Sequence, residues 1–180
     1  TKTFESCKIN VVDLQSSETN PTLTSIEKAA FASATLTTIN IPKSIKEIPT
    51  KCFNKCSLLT NVTLVEGLVT IGSYGFRECS SLVSIKIPTS VTEISYACFY
   101  NCTSLKTINI PSGVTKLSGS CFEDCTSLNG VTIPSKVTSI EYRCFENCSS
   151  WSGTLSLPAN LTSIGYSAFA GCVSLTGTLT

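Results

Sequence analysis

Apolar residues recur along this chain on a fixed ruler. Phe31, Phe53, Phe76, Phe99, Phe122, Phe145 and Phe169 follow one another at intervals of 22, 23, 23, 23, 23 and 24 residues. Aliphatic columns keep step with them. Ile26, Ile48, Ile71, Ile94, Leu117, Ile140 and Ile164 stand five places before each Phe, and Leu23, Ile45, Leu68, Val91, Val114, Val137 and Leu161 stand eight before. A fixed period of this length marks a stack of like units, each contacting only its neighbours.

The unit from Ile87 to Pro111 illustrates the local pattern. Ile108 and Ile110 alternate with polar neighbours, which predicts a half-buried strand. Pro111 has no N–H for a sheet ladder and ends it, as do Pro42, Pro88, Pro134 and Pro158 in other units. A turn is predicted next. Ile94, Cys98, Phe99 and Cys102 then share one face of a short helix, so a helix or 3-10 turn is expected over Ile94–Cys102. Such a helix is too short to be stable alone and must dock on its neighbours.

Composition narrows the functional classes. The chain has 180 residues, 42% hydrophobic and 14% charged, with a formal net charge of +1. That balance suits a packed core and gives no field to attract nucleic acid. No stretch is apolar enough for a membrane span. Histidine is absent. Ser-His and Cys-His nucleophile pairs, and most catalytic zinc sites, are therefore not expected. The acids Glu47, Glu66, Glu78, Glu93, Glu123, Asp124, Glu141 and Glu146 are scattered. No enzyme activity, cofactor or metal is expected.

The cysteines follow the ruler. Cys56, Cys79, Cys102, Cys125, Cys148 and Cys172 stand three places after Phe, with Ala34 in the first unit. Cys52, Cys98, Cys121 and Cys144 stand one before, alternating with Ala30, Gly75 and Ala168. A column that accepts Cys, Ala and Gly is read as selected for small size. Buried thiols, strained disulfides within C-x-x-x-C pairs, and metal ligation all remain open on sequence grounds.

The runs IPTSVTEISYACFYNCTSLKTINIP and PSKVTSIEYRCFENCSSW resemble BspA-like leucine-rich repeats of the treponemal type. The Cys-rich C-F-x-x-C form is most similar to the protist branch. The resemblance implies an α/β solenoid, a right-handed superhelix with a parallel sheet on the concave face and short helical or 3-10 turns on the convex face. It implies a non-enzymatic, surface-exposed or secreted module for adhesion to host cells or extracellular matrix, or a surface antigen. Residues 1–22 are read as a degenerate N-terminal repeat or cap and residues 23–180 as an array of about seven repeats, the last truncated. The whole is read as a fragment of a longer protein. An intracellular protein–protein scaffold is the alternative, favoured by the many thiols.

Three sets of candidate residues follow. Outward strand positions on the expected concave face are Thr38, Asn40, Asn61, Thr63, Ser84, Lys86, Thr107, Asn109, Thr132, Thr154 and Ser156. They form a small, polar platform for a protein or glycan, or merely a solvated sheet. Tyr96, Tyr142 and Tyr166, three places before Phe, form with Tyr100 a candidate binding stripe. Asn61, Asn101, Asn147 and Asn160 open N-x-S/T sequons and are candidates for glycosylation.

Overall fold

A computed structural model describes residues 4–14 and 23–176. The chain winds as a parallel β-solenoid of about six turns, with runs of turns and short strands in two ladders, the first of which ends at Ile108 among the described residues. Strand β1 is Val11–Asp13, β2 Thr38–Asn40, β3 Glu47–Ile48, β4 Asn61–Thr63, β5 Thr70–Ile71, β6 Ser84–Ile85, β7 Glu93–Ile94, β8 Thr107–Ile108, β9 Lys116–Leu117, β10 Ser139–Ile140 and β11 Ser163–Ile164. One ladder runs β1-β2-β4 and resumes as β6-β8; the second runs β3-β5-β7 and β9-β10-β11. All pairs are parallel and in register with the sequence period, Ile39 opposite Val62, Ile85 opposite Ile108 and Ile71 opposite Ile94. A slip of one residue would turn every inward Ile to solvent, so the buried face pins the register.

The second ladder corrects the expected helix. Ile94 lies in β7 rather than opening a helix, and the described residues contain no helix. From Ala97 to Cys102 the backbone divides its N–H groups between two directions. Ala97, Phe99 and Asn101 donate to the carbonyls of Gly119, Cys121 and Glu123 on the next coil, at 3.0, 2.9 and 2.8 Å. Tyr100 and Cys102 donate within the coil to Ala97 and Phe99. The same alternation recurs in every coil from Phe31 to Phe145. A right-handed helix would need each N–H to reach back four residues. It is interrupted because the residues two before and two after Phe have positive φ, 49° at Ala97 and 54° at Asn101. Coil-to-coil bonding thus replaces intrahelical bonding, and the turn run becomes a third seam joining the coils.

The Phe column is the spine of the core. Phe53, Phe76, Phe99, Phe122 and Phe145 are fully buried. Their rings stack face to face, with centroids 5.2–5.7 Å apart between successive coils. Adjacent strands sit about 4.8 Å apart, so the rings lie slightly offset, an arrangement the aromatic quadrupole favours. Phe4 continues the column at 5.1 Å from Phe31, and its coil supplies β1. Residues 1–3 and 15–22 of the expected cap, and residues 177–180 of the truncated last repeat, lie outside the described residues. Trp151 is buried edge-on against Phe145 at 4.9 Å. Room for it comes from Gly130, where a Cβ would lie 2.7 Å from the indole nitrogen.

All eleven cysteines are free thiols, and all but the half-buried Cys7 are buried. The column after Phe has a specific bonding role. The Cys125 thiol donates to the Phe99 carbonyl on the preceding coil at 3.1 Å, while the Cys102 N–H reaches the same oxygen within its coil at 3.2 Å. Cys56, Cys79, Cys102, Cys148 and Cys172 repeat this thiol bond. Small size is therefore not their only requirement: the S–H gives the Phe carbonyl a second partner in a dry core.

Candidate functional site

Three surfaces are assembled by the coil stacking. On the first ladder the strand alternation turns Ile39, Ile85 and Ile108 inward and the flanking residues outward. Asn61, Thr63, Ser84, Lys86, Thr107, Thr132, Thr154 and Ser156 are exposed, while Thr38 and Asn40 are half-buried. Ser84, Lys86, Thr107 and Asn109 share a shallow depression of about 370 Å³ with Ile85 and Ile108. The side chains of Thr63, Ser84, Thr107 and Thr132 make no hydrogen bond to another described residue. Asn109 differs. Its amide donates to the Ile87 carbonyl at 2.8 Å and accepts from the Ile87 N–H at 2.9 Å. It thereby extends the seam past β6 and β8 in place of a backbone ladder. Sequence spacing could not separate this structural Asn from the other residues of the row.

The tyrosines assemble on the turn side. Tyr74 meets Tyr96 edge-on at 5.3 Å, Tyr96 meets Tyr142 at 6.1 Å, and Tyr142 stacks on Tyr166 at 5.5 Å. Tyr96 and Tyr142 lie two coils apart. They meet because the intervening coil has Gly119, where a Cβ would lie 2.9 Å from the Tyr142 ring. Tyr100 stands apart from this chain of rings and lies under the Arg77 guanidinium at 5.1 Å. Burial first, and then Tyr96, push the Tyr74 phenol up, while a hydrogen bond to Tyr96 is the main cause raising Tyr142. These phenols are neutral at pH 7. Tyr74, near the stripe in sequence, joins it: its place two before Phe, rather than three, puts it diagonally beside Tyr96.

The sequon asparagines occupy different settings. Asn61 lies in β4 and is exposed. Asn101 and Asn147 take the positive-φ position two after Phe, at 54° and 60°. The Asn147 amide donates to Asp124 at 2.9 Å and that of Asn160 to the Ser135 carbonyl at 3.2 Å.

Among the described residues, no group of three His, Cys, Asp or Glu side chains could hold a metal. Glu66, the acid with the fullest hydrogen-bond set, clamps Thr89 and Ser90 on the next coil. Eight of the buried thiols are poor nucleophiles: burial raises Cys52, Cys79, Cys98, Cys125 and Cys144 well above the ordinary range, and Cys56, Cys102 and Cys121 to about 12. No helix of the described residues is long and apolar enough to cross a membrane.

A family profile described as the BspA type leucine rich repeat region matches six copies over residues 1–80 and 50–176. No curated protein matches. A leucine rich cell surface protein from Faecalibacterium prausnitzii is 37% identical with a TM-score of 0.70, over 78% of this chain and 38% of that one. The T. pallidum leucine rich repeat protein is 28% identical with a TM-score of 0.84, over 98% of this chain and 79% of that one. A leucine-rich repeat protein from Bacteroides ovatus is 27% identical with a TM-score of 0.77, over 96% and 49%. The chain thus spans well under half of the first of these proteins and about half of the third.

Proposed function

Because this chain belongs to the BspA-type leucine-rich repeat family, we propose that it is a non-enzymatic recognition module of a cell-surface or secreted protein, binding a protein ligand of host cells or extracellular matrix through its first strand ladder. The observation that carries this reading is the row of exposed hydroxyls on that ladder. Thr63, Ser84, Thr107 and Thr132 offer donors and acceptors with no partner among the described residues, on a face that carries few charges, Asp13 and Lys86 among them. A rigid, preorganised row of this kind orders few side chains on binding. The F. prausnitzii relative's description as a cell surface protein supports the surface assignment.

The test uses purified matrix proteins immobilised one at a time. Thr63→Glu with Thr107→Glu is expected to weaken capture at least tenfold without shifting the melting temperature. Tyr166→Ala, on the turn side, is expected to leave capture unchanged. Equal capture by the strand-face variant would remove this face as the site. A second reading, an intracellular scaffold, is favoured by the eleven free thiols. Glycan mass at Asn61 or Asn160 on protein from its native source would exclude it.

A further inference from the structure

Beside the tyrosine chain lies an open cleft of about 520 Å³, lined by Lys51, Asn54, Lys55, Tyr74, Arg77, Tyr96, Ala97 and Tyr100. We infer that this cleft is a binding site for an acidic saccharide, with a sugar carboxylate held by Lys51, Lys55 and Arg77 and a sugar hydroxyl donated to Asn54.

Three features converge on that chemistry. First, the cleft gathers three cations in a chain of net charge +1. Lys51 and Lys55 project from the two positive-φ positions flanking Phe53, at 61° and 63°, so the turn run itself aims both outward. Neither lies within ion-pair distance of a carboxylate of a described residue. Lys51 rests over the Tyr74 ring at 5.5 Å. Arg77 pairs with Glu78 and covers Tyr100, which leaves guanidinium N–H groups to share. Second, the Asn54 Oδ1 is buried with no hydrogen-bond partner. A buried acceptor in that state is unfavourable, and a turn of the amide that brings it to a ligand hydroxyl in the cleft would relieve it. Third, no Leu, Ile, Val or Phe lines the cleft. Peptide anchors seek apolar pockets. Here the only carbon surface is Ala97 and the flat tyrosine rings, which suit the C–H face of a sugar. A uronic acid presents carboxylate, hydroxyl donors and such a face together. This site is separate from the strand ladder and stands or falls independently of it.

The experiment is titration calorimetry of the folded chain at low salt, with a glucuronate-containing tetrasaccharide as probe. Its carboxyl-reduced counterpart, and a glutamate-rich peptide of equal charge, are the comparisons. The acidic saccharide is expected to bind at least tenfold more tightly than either. Lys51→Gln with Lys55→Gln is expected to weaken it at least tenfold with the melting temperature unchanged, because both lysines are exposed. Lys106→Gln with Lys136→Gln, outside the cleft, is expected to change affinity less than twofold. Lys51→Arg with Lys55→Arg is expected to retain binding. Absence of binding, equal binding of the reduced sugar or the peptide, or equal loss in the two lysine pairs would each overturn the inference.

Discussion

Raising the pH from 8 to about 10.5 under reducing conditions is expected to unfold this chain cooperatively. The cause is the cysteine columns. In the unfolded chain a thiol ionises near 8.5–9. In the fold, desolvation raises Cys56, Cys102 and Cys121 to about 12 and moves Cys52, Cys79, Cys98, Cys125 and Cys144 in the same direction. Cys148 is also raised, first by its hydrogen bond with Cys172 and then by burial. Between the two pKa values the unfolded chain has released protons that the folded chain keeps. Stability is therefore fully present below pH 8.5, and falls as pH rises toward the folded values. At pH 10 each such thiol forgoes about 1.4 kcal/mol. With eight thiols raised chiefly by burial, and Cys148 raised but Cys172 lowered by the hydrogen bond they share, the loss is on the order of 10 kcal/mol, comparable to the whole stability of a chain this size.

Tyrosines also titrate in this range, so the thiols are isolated by substitution. Cys52→Ala, Cys98→Ala, Cys121→Ala and Cys144→Ala place Ala where Ala30 and Ala168 already stand. Urea melts from pH 8 to 10 are expected to give a slope of stability against pH that falls by nearly half in this variant. The slope counts protons and does not depend on how much stability the substitutions themselves cost. An unchanged slope would mean that the thiols are not buried as neutral groups.

The second large effect concerns the spine. Phe99→Ala is expected to cost about 3–5 kcal/mol, because a fully buried ring is lost and the rigid coils cannot close the void. Two ring contacts go with it, at 5.4 Å to Phe76 and 5.7 Å to Phe122. Position within the array matters. Each coil is stabilised by the interfaces on both sides, so a central void weakens two of them. Phe4, half-buried with one stacked neighbour, is expected to cost much less when truncated to Ala. Equilibrium urea melts of both variants check this. A cost below about 1 kcal/mol at Phe99 would show that the column is not the core.

Much of this architecture was legible because it is columnar. Period, the buried Phe, Ile and Cys columns, and the parallel strand at Ile108 all follow from residues that repeat in register. What was misread is the segment from Ile94 to Cys102. Its apolar spacing fits a helix face equally well, since offsets of four and eight also arise when turn runs bring Cys98 and Cys102 inward. The signal that decides between them is weaker. The position two after Phe holds Asn101, Asp124, Asn147 and Gly171, residue types that tolerate positive φ. The second ladder was hidden because Glu93–Ile94 and its partners are two residues long, too short for alternation to register. The binding surfaces were legible only in part. The outward strand row follows from alternation alone, but the link of Tyr96 to Tyr142 depends on Gly119 in the coil between them, and the orphan oxygen of Asn54 is invisible without coordinates.

The arrangement of all three surfaces depends on the turn runs joining coil to coil. Scalar couplings across hydrogen bonds, measured by NMR on isotope-labelled protein, report those bonds directly. The amides of Ala97, Phe99 and Asn101 are expected to couple to the carbonyls of Gly119, Cys121 and Glu123 on the next coil. Couplings instead to the carbonyls of Glu93, Ser95 and Ala97, four residues back, would establish a helix there and contradict the coil-to-coil seam.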